Sequence, residues 1–497
     1  MKKLKNALPF IYLILVTIWL RLINLGYSDY QGDEIRALYR PQAGQEISNF
    51  LLNQRKGPVQ FLVTYIIKLF NFAYDNEFFV RLPFALAGIG AVYFFYKFVK
   101  LELGKRIALY SALFMALNGL FVAFARIVQY QSFVILFSIL TLYFLSLSTK
   151  NKTWKISGLY LGATFWGISI LTHFDGIFIA PFVLYLLYRW YKDTNFPLIK
   201  SIKMKHLAFS LAIFLAILAV FYVPFFFSIS ESTKEYWSNR ISSRTGSSIS
   251  TFKLYNPIFV IYLYAILAFL SLSRFKEKLP LLAWFLFPFF AMEVLISQPG
   301  THIYTYIIPL CILISYGLEN LDVLIEKNQT KLKFINNWYL KLIIFLLLFS
   351  LSHVVFVDNT REYAWEDKRF LMLELPKKHN QSSFGFPYYR HWEEIGTYFQ
   401  TLEENGYYLT NEKKSIASYY VPANLKNMEL EADAAQLSGY TYLIYIKKPQ
   451  SRNERMLEKE PSFWESKHEP VKTYLNNGRV VAKIYRLSAS ELEKIRN

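Results

Sequence analysis

"ALPFIYLILVTIWLRLINLGYSDYQGDEIRALYR" (residues 7–40) runs through a long apolar stretch and then surfaces at once into Asp29, Asp33 and Glu34. The apolar part, 7–26, has the length that crosses the ~30 Å hydrocarbon core of a bilayer. It follows Lys2, Lys3 and Lys5, which is also how a secretory signal begins. However, no small-x-small cleavage pattern follows it, and its length is that of a full span. The acids behind it are open to three readings: a helix cap, a solvated collar or a reaction centre.

The rest of the chain repeats the first pattern. Of its 497 residues 54% are hydrophobic and 19% aromatic, and the mean hydropathy is +0.23. Such a composition excludes an ordinary soluble enzyme and indicates an α-helical polytopic membrane protein. Length and flanking charge mark about eleven spans. They fall near 7–26, 80–99, 106–124, 132–148, 156–172, 174–190, 207–228, 257–273, 279–297, 303–320 and 339–357. The formal charge of +19 belongs to basic loops between spans rather than to a nucleic-acid surface. Lys97, Lys100, Lys105 and Arg106 lie in one such loop, and Lys200, Lys203 and Lys205 in another. The alternate loops near 173–175 and 297–302 carry no Lys or Arg. This asymmetry predicts a cytoplasmic N-terminus in a plasma membrane, and puts the acidic stretch and everything after about 358 outside the cell. The single Cys311 sits in an apolar run and forms no internal disulfide.

On these boundaries 1–357 is the transmembrane domain and 358–497 a small extracytoplasmic α/β domain. The first outer segment, 27–79, contains "PVQFLVTYIIKLF" (58–70), too short to span and read as an interfacial helix. The second, 229–256, is rich in Ser, Thr and Gly and reads as a mobile outer loop. In the C-terminal part, 390–406 has helical spacing, while "YYLT" (407–410) and "YLIYIKK" (442–448) read as strands. "VKTYLNNGRVVAKIYRL" (471–487) is a hairpin about Asn476-Asn477-Gly478.

Ionisable groups at membrane depth are costly and therefore informative. Asp33, Glu34, Arg36, Lys56, Arg81, Arg126, His173, Asp175 and His302 all fall at expected outer ends of spans or in the first outer segment. The expectation is that they gather in one outer pocket, lined also by Gln129 and Tyr130. Carboxylates beside cations suit a hydroxyl attacking a phosphate-bearing substrate: the carboxylate takes the proton and the cations hold the anion. Each residue also has a plainer role. Asp33 can cap a helix, Lys56 can snorkel to headgroups, Arg81 can anchor a span end, Asp175-Gly176 can be a turn, and His173 and His302 can be packing residues. No metal-ligand spacing appears and no cofactor is firmly predicted, while the paired carboxylates leave a divalent metal open.

Four stretches resemble a known family. "GDEIRALYR" (32–40) is similar to its acidic Asp-Glu motif. "RKGPVQFLVTYIIKLF" with "NEFFVRLPFALAGIGAVYFFYKFV" (55–99) is similar to its Lys-Pro-Pro segment and its Arg-Leu-Pro span. "LYLGATFWGISILTHFDGIFIAPFVLYLL" (159–187) and "THIYTYIIPLCILIS" (301–315) are similar to two later spans. The chain thus resembles the GT-C membrane glycosyltransferases, in particular the superfamily of protein O-mannosyltransferases and aminoarabinose transferases. The resemblance covers roughly the first 320 residues. It implies that Asp33 is the catalytic base with Glu34 in support, and that Lys56 touches the donor phosphate with help from Arg81 or Arg126. This chain departs from the pattern in three places. Lys56-Gly57-Pro58 has lost one proline, which implies a looser loop. Arg126-Ile127-Val128 lacks the second acid of some relatives. Leu171-Thr172-His173 has a histidine where relatives have lysine.

The implied activity is transfer of a sugar, with inversion, from a polyprenyl-phosphate donor to a protein, lipid or glycan hydroxyl at the outer membrane face. A transporter or flippase for lipid-linked sugars would want charges along the whole pathway, whereas here they lie mainly on one side. An O-antigen ligase or polymerase is the nearest competing enzyme. A sensor reading lacks any cytoplasmic output module.

Overall fold

The computed structural model describes residues 2–54, 56–71, 73–194, 199–242, 248–272, 278–297, 299–327, 337–360, 369–370, 373–374, 384–402, 405–428, 440–450 and 469–488. They form two compact units. The first comprises Met1–Ile23, Tyr39–Ala73 and Val80–His353; the second comprises Asn24–Leu38, Tyr74–Phe79 and Val354–Asn497. The first outer segment is therefore shared, with the acidic residues grouped with the C-terminal part of the chain.

The first unit is helical. Among the described residues, five helical segments are long and apolar enough to cross a membrane: Glu77–Leu103, Gln131–Lys150, Lys200–Ser228, Gly300–Leu321 and Tyr339–Phe356. On the third of these Val220, Phe226 and Phe227 are 79%, 72% and 83% exposed. A contiguous apolar face of this kind belongs against hydrocarbon rather than water. The other expected spans are shorter or broken, and the breaks have local causes. The run 106–124 splits into Lys105–Leu117 and Gly119–Phe124 because Asn118 turns to an extended conformation and its side chain accepts from Leu120 N–H. The run 174–190 opens with a 3₁₀ turn, Phe174–Ile179, before the helix Ala180–Lys192. In 279–297, the helix Leu279–Phe290 contains Pro288 and relaxes into a π-turn, Ala291–Leu295.

The stretch 58–70, read as an interfacial helix, contains the helix Val59–Lys68. The stretch 229–256, read as a mobile outer loop, holds the helices Glu231–Ser242 and Ser248–Tyr255, on either side of residues outside the described set. Serine-rich composition hid them, since capping and local pairs can form a helix without an apolar stripe. Glu231 and Lys234 pair at 2.6 Å one turn apart.

The second unit contains a five-stranded sheet in the order β4–β3–β5–β7–β6 and a short antiparallel pair. In chain order the strands are β1 Arg369–Phe370, β2 Leu373–Glu374, β3 Gly406–Thr410, β4 Leu425–Asn427, β5 Tyr440–Ile446, β6 Lys472–Asn476 and β7 Arg479–Leu487. β3 runs parallel to β4 and β5, while β7 is antiparallel to β5 and β6. The central β5 is near-continuously apolar, as a strand covered on both faces must be. Asn477 and Gly478 adopt φ of 49° and 74°, the left-handed pair that a two-residue hairpin turn requires. The helix Trp392–Leu402 buries Trp392, Ile395 and Phe399 completely, on one face by their spacing.

Candidate active site

The three acids of the opening stretch have three different surroundings. Gly32–Ile35 is a single helical turn preceded by Gln31. Glu34 is wholly buried, and its Oε2 accepts the Gln31 N–H at 2.9 Å. The helix is thus capped by Glu34 from within, and Asp33 is left to point elsewhere. The Asp33 side chain is 42% exposed and meets Lys413 Nζ at 3.4 Å. Asp29 is buried and accepts the Arg390 N–H at 2.5 Å, while its own N–H donates to Tyr388 O at 2.9 Å. Burial pushes the Asp29 carboxyl up to about 7, with the Arg390 N–H offsetting only part of that.

Further residues brace this turn. Gln450 Oε1 accepts the Gly32 N–H at 3.2 Å. The buried Glu412 carboxylate accepts from Gln450 N–H at 2.9 Å, from Lys413 N–H at 2.8 Å and from the Tyr388 hydroxyl at 2.5 Å. Arg36 follows the turn and is exposed. The sequence reading missed Lys413, Glu412, Gln450 and Arg390. They lie in an ordinary-looking soluble stretch, and nothing in their spacing ties them to residues near 30.

Lys56 lies in the first unit and heads a second cluster. Its Nζ donates to Gln129 Oε1 at 3.1 Å and stands 4.8 Å from the Tyr130 ring centroid, a cation–π distance. The Tyr130 ring stacks on His173 at 4.1 Å with the planes 8° apart. His173 ends the helix Ser157–Thr172 and caps the 3₁₀ turn after it, its Nδ1 accepting the Asp175 N–H at 3.2 Å. Asp175 Oδ2 meets His302 Nδ1 at 2.7 Å and accepts the Tyr304 hydroxyl at 2.8 Å. The fold thus links Lys56, Gln129, Tyr130, His173, Asp175 and His302 in one chain of contacts. Tyr304 joins them and was not anticipated.

The Lys56 loop is tight rather than loose. A Cβ on Gly57 would stand 1.8 Å from Leu171 O, so the glycine in Lys-Gly-Pro is what lets the loop lie on the end of the helix Ser157–Thr172. Arg81 and Arg126 are both buried. Arg126 Nη1 donates to Leu20 O at 3.0 Å and Ile23 O at 2.9 Å. A cation bonded to carbonyls at a helix C-terminus completes that helix, which is a structural duty beside any role toward phosphate.

Residues 56–223 match the family model described as dolichyl-phosphate-mannose-protein mannosyltransferase. No curated protein matches the chain in sequence. Among solved structures, ArnT from Cupriavidus metallidurans in the apo state is 14% identical, with a TM-score of 0.53 over 99% of each chain. The same protein bound to undecaprenyl phosphate is 13% identical, with a TM-score of 0.51 over 97% of this chain and 98% of that one. The chain is a multi-pass membrane protein with the fold of the GT-C glycosyltransferase superfamily, as the resemblance in its sequence implied.

Proposed function

We propose that the chain transfers a sugar from a polyprenyl-phosphate donor to a hydroxyl acceptor at the outer face of the plasma membrane, with inversion at the anomeric carbon. The observation that carries this reading is the pairing of a mannosyltransferase family match beginning at Lys56 with an ArnT-like fold along nearly the whole chain. Asp33 takes the proton of the acceptor hydroxyl. The oxygen–carbon bond forms as the bond from the anomeric carbon to phosphate breaks, and polyprenyl phosphate leaves with the electron pair. Phosphate departs readily, so no second acidic carboxyl is required, in contrast to glycoside hydrolysis.

Lys56 holds the departing phosphate, and Tyr130 and Gln129 hold Lys56. An apolar cavity of about 310 Å³, lined in part by Phe252, Tyr264, Ala268, Phe289 and Leu310, suits part of an isoprenoid tail. The basic loops support a cytoplasmic N-terminus, with the catalytic residues on the opposite side.

Loss of a general base typically costs ~10²–10⁴-fold in rate. Asp33→Asn therefore loses transfer by that factor while the protein remains in the membrane. The assay is mass spectrometry of surface glycans and lipids from cells with no gene, the wild-type gene or the Asp33→Asn gene. Identical glycans from the wild-type and Asp33→Asn strains would remove Asp33 from the mechanism, and identical glycans with and without the gene would remove the function.

A further inference from the structure

The sequence has no metal-ligand spacing, yet the fold collects three ligand-type side chains from two distant segments. His173 and Asp175 lie at the turn between the helices Ser157–Thr172 and Ala180–Lys192, and His302 on the 3₁₀ turn Gly300–Ile303. All three are buried, and one ligand atom from each lies within 4.8 Å of the others. Their hydrogen bonding does not close. Asp175 Oδ2 is served by His302 and Tyr304. Asp175 Oδ1 is buried and lies 3.2 Å from His173 Nδ1. That nitrogen is also 3.2 Å from the Asp175 N–H and can serve only one of the two: unprotonated it accepts the N–H and leaves Oδ1 unpaired, protonated it donates to Oδ1 and leaves the N–H unpaired. Either way one buried polar atom lacks a partner, an arrangement that a cation at Oδ1 resolves while Nδ1 keeps the N–H.

We propose that His173, Asp175 and His302 bind one divalent transition-metal cation, of which zinc is the best match. Two imidazoles and a carboxylate are a zinc donor set that leaves one coordination position open. Calcium and magnesium would call for oxygen donors throughout. The ligands are held in advance: Tyr130 stacks on the His173 ring and the Tyr304 hydroxyl fixes the Asp175 carboxylate, the kind of support that orients metal ligands in general. Binding puts the His302 proton on Nε2 and frees Nδ1 for the cation. The cation and the nearby Lys56 ammonium together outweigh the single Asp175 charge, so the open position favours an anionic oxygen. That last point rests on the transfer reading and names the donor phosphate as its source; the metal site itself stands without it.

The test uses the full-length protein in detergent, stripped with a chelator and free of any polyhistidine tag. After dialysis against zinc, elemental analysis should find one equivalent. Titration with cobalt should saturate at one equivalent, with visible absorption of a four- or five-coordinate site. Asp175→Asn and His302→Gln should each weaken binding by more than the ~10–100-fold that loss of a hydrogen-bonded partner of a ligand costs, with unchanged elution on gel filtration. No cobalt absorption in the wild-type protein, or metal retained equally by both variants, would overturn the site and leave a hydrogen-bonded His–Asp–His cluster. Because the readout is metal content, it is independent of whether sugar transfer is the activity.

Discussion

Replacing Gly57 with alanine tests whether Lys56 depends on its loop lying against the end of the helix Ser157–Thr172. A Cβ at 57 would stand 1.8 Å from Leu171 O, 2.6 Å from Leu171 C and 3.0 Å from Thr172 O. All three are backbone atoms, so no side chain can swing aside. Carbon–oxygen contact begins at about 3.3 Å, so the loop has to retreat by about 1.5 Å. Overpacking of this kind costs ~1–3 kcal/mol, and a misplacement of ~1 Å in a positioning group costs ~10²-fold in rate. The Gly57→Ala protein should therefore insert in the membrane, melt a few degrees lower, and release polyprenyl phosphate from donor lipid about 100-fold more slowly. Mass spectrometry of the released lipid phosphate measures the rate. Gly90→Ala is the control, because a Cβ there meets only the flexible end of Leu136, at 3.3 Å, and it should keep near-normal turnover. A Gly57→Ala protein as fast as wild type refutes the positioning argument, even if its melting temperature falls.

Three further outcomes follow from the acids. Glu34→Gln keeps an oxygen to accept the Gln31 N–H, so it should retain far more activity than Asp33→Asn. Glu34→Ala strands that buried donor and should destabilise the protein by ~1–3 kcal/mol, read as a lower melting temperature; equal losses in Glu34→Gln and Asp33→Asn would instead make Glu34 a reacting group. Asp29 has its folded-state value raised to about 7 against ~3.9 in an unfolded chain. The folded protein thus holds this proton over a range where the unfolded chain has released it, and stability declines from about pH 4 to about pH 7, then levels off. Asp29→Asn should flatten that part of the melting-temperature profile; an unchanged slope would show that Asp29 is ionised throughout.

Much of the fold is legible in the sequence because membrane spans announce themselves by length and charge, and because Asn477-Gly478 can hardly be anything but a turn. Local chemistry that interrupts an apolar run is harder to see. Asn118 in 106–124 and Pro288 in 279–297 are visible as letters, but hydropathy averages over them. The helices inside 229–256 were hidden by the opposite effect, since their polarity resembles that of a loop. For the site, membrane-depth ionisable residues pointed to Lys56, His173, Asp175 and His302, and the contacts of Tyr130 and Gln129 join them to one another. What could not be read was pairing across sequence distance. Lys413 is 380 positions from Asp33, and Gln450 reaches back to Gly32. Neither contact leaves a trace in local spacing.

The division of labour among Asp29, Asp33 and Glu34 follows from exposure rather than from residue type. A general base has to be within hydrogen-bond reach of an incoming hydroxyl. Asp29 is 2% exposed and engaged with the Arg390 backbone; Glu34 is fully buried and engaged with Gln31. Of the three only Asp33, with its side chain 42% exposed, is reachable from solvent. Gly32 lets Lys413 lie against it, because a Cβ there would come within 2.8 Å of Lys413 Cδ and 2.7 Å of Ser415 Oγ. Any larger residue at 32 would push away the lysine that faces Asp33 and disturb the turn that Glu34 caps. An acid-rich motif of this kind therefore needs its buried members as much as its exposed one: two carboxylates and a glycine fix the backbone so that the third carboxylate is presented.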